Sequence, residues 1–462
     1  MTSKIDYSSK IEILKHHLNL FGLKKELWGS TKSSLIFIDQ IDEGVDSILE
    51  DGGLALAIHP SCDLLNKLQI SSRIASVKHS FDVEISNSPS KRAVNKLRTF
   101  NNFFIFEGAS LEPVVSTAVG EIVWAWVPRL NGGILLLGSN LAEDLTRFRQ
   151  GDARKADSRP TAALWGIAGE RPNYLYTSQL EGMPHYARPA DEWCEQLASF
   201  IASKLPCSRL PVLPGGAHGA IVITGDDDQA FLEKYDEQLK LLNGMPITYF
   251  LHPLTRHTRS SLDLMQSQNQ RVNFGIHPDA LENPVEYERL FKEQCDWFSE
   301  LTDARANMLR NHGYLNDGYW GHLRAWLDEG INFSSNIPGF DGRALNGSLL
   351  PSRIVHNEEL TEHWSIVTAI GDGIRYIDGG RSDLDCANCI FDLADAIKQS
   401  TIPGVMVLNL HPQNIGDTRA MHLAIHEVIK SGFIVWNLTE CLNWFSGKSF
   451  GTTSQSGLQG IR

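Results

Sequence analysis

The segment AIVITGDDD, residues 220–228, is an apolar strand pattern that ends abruptly in three consecutive carboxylates, Asp226, Asp227 and Asp228. Such a cluster repels itself unless something positive neutralises it. At the carboxyl end of a barrel strand, a divalent cation is the natural partner. The alternative, on spacing alone, is a solvated turn whose aspartates cap the following helix.

Three histidines each follow an apolar strand pattern in the same half of the chain. They are His277 in VNFGIHPD, His312 in MLRNHGYL and His411 in VMVLNLHPQN. One histidine at one strand end is usually structural. Three of them, together with an aspartate cluster on successive strands, converge on one face of a barrel. Zinc would take nitrogen and oxygen ligands there and keep an open position.

Strand and helix patterns alternate through the second half of the chain. The strand-like segments run into loops at AIVITGDDD, ITYFLHP, VNFGIHPD, ANMLRNHG, INFSSN and GVMVLNLHP. Amphipathic stretches lie between them, including EKYDEQLKLLNG, EYERLFKEQCDWFSEL and GHLRAWLDEG. This alternation predicts an α/β fold with a parallel β/α arrangement of the barrel type.

The chain divides by composition near residue 215. Residues 205–219, LPCSRLPVLPGGAHG, crowd prolines and glycines as an interdomain connection does. Before it, short apolar runs such as LALAIH, EIVWAWV and GGILLLGS predict an α/β sandwich. We therefore predict an α/β domain over 1–210, a barrel over 216–450 and a flexible, Ser- and Gly-rich tail over 451–462.

The predicted amino-terminal domain offers no comparable chemistry. Its segment GGILLLGSNLAEDLTRFRQGD resembles parts of glutamine-amidotransferase-like domains, but no Gly-x-Cys-x-Gly nucleophile elbow occurs in it. Cys62 and His59 stand in one loop, and such close neighbours rarely reach the geometry of a nucleophile pair. A binding or scaffolding role is therefore expected for this domain.

Composition excludes several classes of protein. The 462 residues carry a formal net charge of −13, which opposes attraction to a nucleic-acid backbone or an anionic bilayer. No run approaches the roughly 20 apolar residues needed to span a bilayer. The first residues lack the pattern of a secretory signal, and the seven cysteines are scattered. A cytoplasmic protein is expected.

The order of these motifs resembles the polysaccharide deacetylase family, carbohydrate esterases with a NodB homology domain, over residues 216–445. Members of that family open with Thr-Phe-Asp-Asp-Gly, in which the first Asp is the general base and the second binds the metal. Thr224-Gly225-Asp226-Asp227-Asp228 occupies that place. The resemblance implies that Asp226 is the base and Asp227 the metal ligand. A shifted assignment that uses Asp228 remains open.

The second family motif, His-Ser/Thr-x-x-His, supplies two metal ligands. Here His277 matches the first histidine, and Leu281 stands in place of the second. Divergent relatives carry a later Arg-Asn-His segment, and Arg310-Asn311-His312 resembles it. The resemblance thus implies His312 as the third ligand, with Asp279 either substituting for it or orienting a ligand.

The remaining family motifs supply an arginine and a histidine. Arg310 is expected to pair with Asp226 and keep it ionised. Leu408-Asn409-Leu410-His411 matches the Leu-x-His motif, which implies that His411 is the general acid.

The implied activity is metal-dependent hydrolysis of an N-acetyl or related acyl group on a carbohydrate substrate. A divalent ion, expected to be zinc, would polarise the carbonyl and acidify a water molecule, Asp226 would take a proton, and His411 would give one to the leaving amine. Two alternatives stay open: a non-catalytic carbohydrate-binding or assembly protein, supported by Leu281, and a hydrolase of other non-peptide C–N bonds.

Overall fold

The structure, a computed structural model, describes residues 5–23, 27–28, 34–86, 96–158, 163–164, 167–168, 171–339, 341–376 and 380–449. The predicted tail over 451–462 lies outside the described residues. The helices are α1 (Tyr7–Leu20), α2 (Glu43–Glu50), α3 (Cys62–Lys67), α4 (Leu141–Gln150), α5 (Asn173–Tyr176), α6 (Pro189–Lys204), α7 (Leu232–Leu242), α8 (Arg259–Gln268), α9 (Tyr287–Thr302), α10 (Leu323–Asp328), α11 (Asp383–Gln399), α12 (Arg419–Lys430) and α13 (Leu438–Ser449).

The strands form three sheets within the described residues. They are β1 (Leu35–Phe37), β2 (Leu54–Ile58), β3 (Ser71–Ala75), β4 (Phe81–Ile85), β5 (Lys96–Thr99), β6 (Phe103–Glu107), β7 (Glu112–Ser116), β8 (Ile122–Arg129), β9 (Gly132–Leu137), β10 (Ala163–Leu164), β11 (Ile167–Ala168), β12 (Gly219–Asp226), β13 (Ile247–Leu251), β14 (Val272–Ile276), β15 (Met308–Leu309), β16 (Phe333–Pro338), β17 (Ser352–His356), β18 (Glu359–Thr368), β19 (Ile370–Gly371), β20 (Gly404–Asn409) and β21 (Phe433–Trp436).

The chain groups into two compact units. One, the carboxy-terminal unit, contains Arg147–Arg188 and Leu213–Phe445. The other, the amino-terminal unit, contains most of the chain before Arg147 together with Pro189–Val212. The domain limits predicted from the sequence stay predictions.

The amino-terminal unit is an α/β structure, as predicted. Its sheet follows the order β1-β2-β9-β8-β7-β4-β5, and β6 pairs with both β3 and β8. Among the described pairings of this sheet, β1 with β2 and β2 with β9 are parallel, and the others are antiparallel. Strand β2 is buried along its whole length, which explains its unbroken apolar sequence LALAI.

The carboxy-terminal unit is a distorted β/α barrel, which confirms the predicted fold class. Strands β12, β13, β14, β15, β16 and β18 pair in parallel in that order, and β20 pairs in parallel with the other edge of β12. Strand β19 follows β18 after one residue and pairs with β20. The sheet therefore curls back from β18 toward the strand beside β12.

Strand β12 is an interior strand of this sheet, with pairing strands on both of its edges. Every one of its residues is buried, because neighbouring strands flank it on both edges. One edge pairs with β20 from Gly219 to Thr224, and the other is shared by β21 at its start and β13 at its end. The apolar run Ala220–Ile223 is the sequence expected for such a fully covered parallel strand.

In the described part of the chain, no helix has both the length and the apolar character required to cross a membrane.

Candidate active site

The carboxyl ends of the parallel strands bring polar side chains from distant parts of the sequence to one face of the barrel. Asp226 ends β12, and Asp228 lies two residues further on. His277 follows β14, and Arg310 follows β15. The remaining groups follow β13 (His252), β15 (His312), β19 (Asp372) and β20 (His411).

Asp226 is a buried carboxylate held on both oxygens. Arg310 Nη1 donates to its Oδ1 at 2.8 Å, and Asn409 Nδ2 donates to its Oδ2 at 2.7 Å. Burial alone would raise the pKa of Asp226, but Arg310, followed by His277 and His411, outweighs burial and lowers that pKa below its ordinary value. Asp226 is therefore ionised at neutral pH.

Arg310 is itself completely buried and fully engaged. Its Nε donates to the Ser335 carbonyl at 3.1 Å, and Nη2 donates to the Ser335 and Thr368 hydroxyls at 3.3 and 3.2 Å. The guanidinium also lies over the Phe250 ring, 4.7 Å from its centroid. Residues of three strands, β13, β16 and β18, thus hold the guanidinium that neutralises Asp226.

Removal of this cation should destabilise the fold strongly. Arg310→Met leaves the buried Asp226 carboxylate without its counter-charge, so we expect the free energy of unfolding to fall by about 3–5 kcal/mol. Urea denaturation measures this loss. As a control, Arg324→Met removes an exposed arginine that pairs with Asp328 within α10, and should cost about 0.5 kcal/mol or less. Equal effects of the two substitutions would contradict the role given to Arg310.

Asp228, His277 and His312 form a cluster with the character of a metal site. One ligand atom from each residue can be chosen so that all three atoms lie within 4.8 Å of one another. His277 Nε2 is 3.2 Å and His312 Nε2 is 3.8 Å from Asp228 Oδ1. Among the described residues, Asp228 Oδ1 and His277 Nε2 are buried atoms that make no hydrogen bond of good geometry. Two imidazole nitrogens and one carboxylate oxygen fit a catalytic zinc site.

The tautomer of His277 suits it to such a site. Its Nδ1 lies 2.6 Å from the Arg310 carbonyl, which only accepts hydrogen bonds, so Nδ1 carries the proton. Burial alone would lower the pKa of His277, but Asp226, followed by Asp228, raises it above its ordinary value, and a bound cation would take the place of the Nε2 proton that faces Asp228. Burial would raise the pKa of Asp228, but His277 and then His411 hold it well below its ordinary value, so this ligand is ionised.

Asp227, which the family resemblance implies as the metal ligand, is not part of this cluster, and Asp228 is the aspartate that lies beside His277 and His312. The buried Asp227 carboxylate accepts hydrogen bonds from the Tyr235 hydroxyl and, at 3.2 Å, from the His252 backbone N–H. Successive side chains of an extended segment point to opposite faces, so Asp227 turns away from the face that Asp226 occupies. At Asp228 the backbone has a φ of 38°. This left-handed turn stands at the position of the family motif's glycine.

His411 lies beside both carboxylates of the site. Its Nε2 is 3.6 Å from Asp226 Oδ2 and 3.4 Å from Asp228 Oδ2, and its Nδ1 is 2.5 Å from Asp372 Oδ1. Burial alone would lower the pKa of His411, but Asp372, followed by Asp228 and Asp226, raises it to about 10. The ring is therefore a protonated donor at neutral pH.

Two functional residues were missed in the sequence. Asp372 is fully buried and holds His411 twice, because its Oδ2 also accepts the His411 backbone N–H at 2.8 Å. Asn409 holds Asp226. The sequence held a signal for Asp372. The strand pattern Ser365–Ile370 ends in Gly371-Asp372, much as β12 ends in Gly225-Asp226.

One side of the site is open. The side chains of Asp228 and His312 are 27% and 32% exposed, whereas that of Asp226 is 3% exposed. Solvent therefore reaches the site on the side of Asp228 and His312, whereas Asp226 is shielded from solvent.

The carboxy-terminal unit is thus a parallel β/α barrel with carboxylates and imidazoles at the carboxyl ends of its strands. Comparison with known proteins gave matches only among solved structures: no family model matches the chain, and no curated protein matches it.

Similar solved structures include an allantoinase, a peptidoglycan deacetylase and a CE4 family pseudoenzyme. The allantoinase PuuE has 17% identity and a TM-score of 0.41, with 52% of this chain and 94% of that chain covered. Peptidoglycan deacetylase PdaC from Bacillus subtilis has 11% identity and a TM-score of 0.32, with 50% and 93% covered. A CE4 family pseudoenzyme from Bacillus anthracis has 12% identity and a TM-score of 0.33, with 48% and 65% covered.

Proposed function

We propose that the chain is a metal-dependent hydrolase that removes N-acetyl or related acyl groups from a carbohydrate substrate. The observation that carries this proposal is the gathering of Asp228, His277 and His312 beside a buried ionised Asp226 and a protonated His411. A metal-type ligand set, a base and an acid in one pocket are the groups that amide hydrolysis requires.

The ligands in this proposal are Asp228 Oδ1, His277 Nε2 and His312 Nε2. A divalent ion of the zinc type, when bound, supplies Lewis-acid polarisation of a carbonyl oxygen and makes water more acidic. A set of three protein ligands leaves the open position that a catalytic site needs.

Two side chains carry out the proton transfers in this proposal, one as a base and one as an acid. Asp226, kept anionic by Arg310, accepts a proton from the attacking water as the new C–O bond forms. His411, held by Asp372 through Nδ1, donates its Nε2 proton to the amide nitrogen as the C–N bond breaks. The products are a carboxylic acid, such as acetic acid, and a free amine on the sugar.

The experiment that tests this function measures metal content and acyl release on the same sample. We expect one zinc ion for each chain, and acetate release from N-acetylated mono- and oligosaccharides. Chelation should abolish this release, and added zinc should restore it. A protein that binds zinc without releasing acetate would favour the non-catalytic alternative, and a protein that binds no divalent ion would refute the proposal.

A further inference from the structure

We infer that His252 and Asp279 form a hydrogen-bonded support that orients His312 toward the metal, and that they do not make a second metal site. This inference rests on the proposed function, because it assigns positioning residues to the ligand set proposed above. Neither residue has a place in the proton transfers.

Asp279 lies between two imidazole rings. Its Oδ2 is 3.1 Å from His252 Nε2, within hydrogen-bond geometry, and 3.2 Å from His312 Nδ1, a close contact that lacks the geometry of a hydrogen bond. One carboxylate oxygen thus lies within 3.2 Å of a nitrogen of each ring.

The tautomer of His252 decides between a support and a ligand. The Leu254 backbone N–H donates to His252 Nδ1 at 3.1 Å, so Nδ1 holds the lone pair and Nε2 carries the proton. A protonated Nε2 cannot bind a metal. The group His252, Asp279 and His312 has the spacing of a metal site, but His252 can contribute only a hydrogen bond to Asp279.

Further contacts hold Asp279 in place. The Leu281 backbone N–H donates to its Oδ1 at 3.0 Å. Gln294 accepts from the Asp279 backbone N–H at 2.8 Å and donates to the Asp279 carbonyl at 2.7 Å. The carboxylate is therefore a fixed acceptor on which the two rings can be oriented.

Asp227 lies outside this support, because it contacts the backbone of His252 and not the His252 ring or Asp279. Asp227 accepts the His252 backbone N–H, and its own N–H donates to the Phe250 carbonyl at 3.0 Å. The loop after β13 is thereby tied to the end of β12.

With Nδ1 of His312 directed at Asp279, the other ring nitrogen, Nε2, faces Asp228. A carboxylate behind a ligating imidazole fixes the tautomer and the orientation of the ring, and raises its basicity.

The test compares two amides at position 252. In His252→Gln the side-chain amide reaches the place of Nε2 and can still donate to Asp279, so we expect zinc affinity close to that of the unaltered protein. In His252→Asn the amide reaches only the place of Nδ1 and the donor to Asp279 is lost. We expect this variant to bind zinc about 10–100-fold more weakly. Zinc dissociation constants from competition with a chromophoric chelator measure both.

The matched control is the same pair of substitutions at His257, a buried histidine in the same loop. Its Nδ1 lies 3.0 Å from the Ser261 hydroxyl, and its ring packs edge-on against Tyr235, 4.4 Å between centroids. His257→Gln and His257→Asn should bind zinc equally well, whatever their effect on thermal stability. A merely structural role for His252 would change the thermal midpoint of the metal-free protein without separating Gln from Asn in zinc affinity.

The outcomes separate this inference from the proposed function. Equal zinc affinity in the Gln and Asn variants at position 252 would overturn the inference and leave the proposed function standing. If the unaltered protein binds two zinc ions and both variants bind only one, His252 is itself a metal ligand. That result also overturns the inference. Unaltered protein that binds no zinc would overturn the inference and the proposed function together.

Discussion

Asp228→Asn is expected to abolish stoichiometric zinc binding, whereas the neighbouring change Asp227→Asn is expected to leave it in place. Asp228 Oδ1 faces the ligand nitrogens of His277 and His312, at 3.2 and 3.8 Å. An amide oxygen there is uncharged and a weaker ligand. Since loss of groups that only orient ligands costs about 10–100-fold in metal affinity, loss of the charged ligand should cost more than about 100-fold.

The matched control is informative because Asp227 is chemically identical and adjacent. Asp227→Asn weakens the acceptor for the Tyr235 hydroxyl and the His252 N–H, so it should lower the free energy of unfolding by about 1–3 kcal/mol. Zinc content after gel filtration, with titration by a competing chelator, measures the metal. If Asp227→Asn loses zinc and Asp228→Asn keeps it, the cluster built on Asp228 is wrong.

The sequence predicted the general position of the site because parallel strands all run in the same direction, from their amino ends to their carboxyl ends. Polar residues that follow buried strands must meet at the carboxyl edge of the sheet, however far apart they are in the chain. On this basis Asp226, His277 and His411 could be placed together before any coordinates were known. The structure brings Arg310 to the same edge, 2.8 Å from Asp226.

The choice among three consecutive aspartates was a harder problem. Matching the family motif position by position selects Asp227, whereas strand periodicity places Asp226 and Asp228 on one face and Asp227 on the other. Periodicity alone did not settle the matter, because Asp228 lies beyond the end of β12. Its left-handed backbone conformation is uncommon for a non-glycine residue and was not predicted from the sequence.

Strand patterns did not predict the contacts between loops, although the match to Arg310-Asn311-His312 implied His312 as a ligand and Asp279 as a substitute for it or a residue that orients a ligand. Leu281, in the place of the family's second histidine, packs against the barrel core, and His312 from the loop after β15 joins His277 instead. The hold of Asp372 on His411 and of Asp279 on His312 depends on side-chain rotamers set by three-dimensional packing. The ends of strands can be recognised from the pattern of apolar residues in a sequence. Side-chain hydrogen bonds between loops cannot, because their partners have no fixed spacing in the chain.

Asp226→Asn is expected to separate the chemistry from metal binding. The amide that replaces the Asp226 carboxylate cannot take up a proton at neutral pH. The turnover number for acetate release should therefore fall by about 10²–10⁴-fold, the usual contribution of one general base. The ligands Asp228, His277 and His312 are unchanged. Zinc stoichiometry should therefore stay at the value of the unaltered protein.

The substitution has a structural cost that the experiment must exclude as the cause of lost activity. Arg310 keeps its bonds to Ser335 and Thr368 but loses its anionic partner, so the variant should unfold at lower urea concentration. Retained zinc at the assay temperature shows that the site is still assembled. A folded, zinc-loaded variant with an undiminished turnover number would show that Asp226 is not the base. The proton would then pass to another group at the open side of the site, where the ionised carboxylate of Asp228 lies 3.4 Å from His411 Nε2.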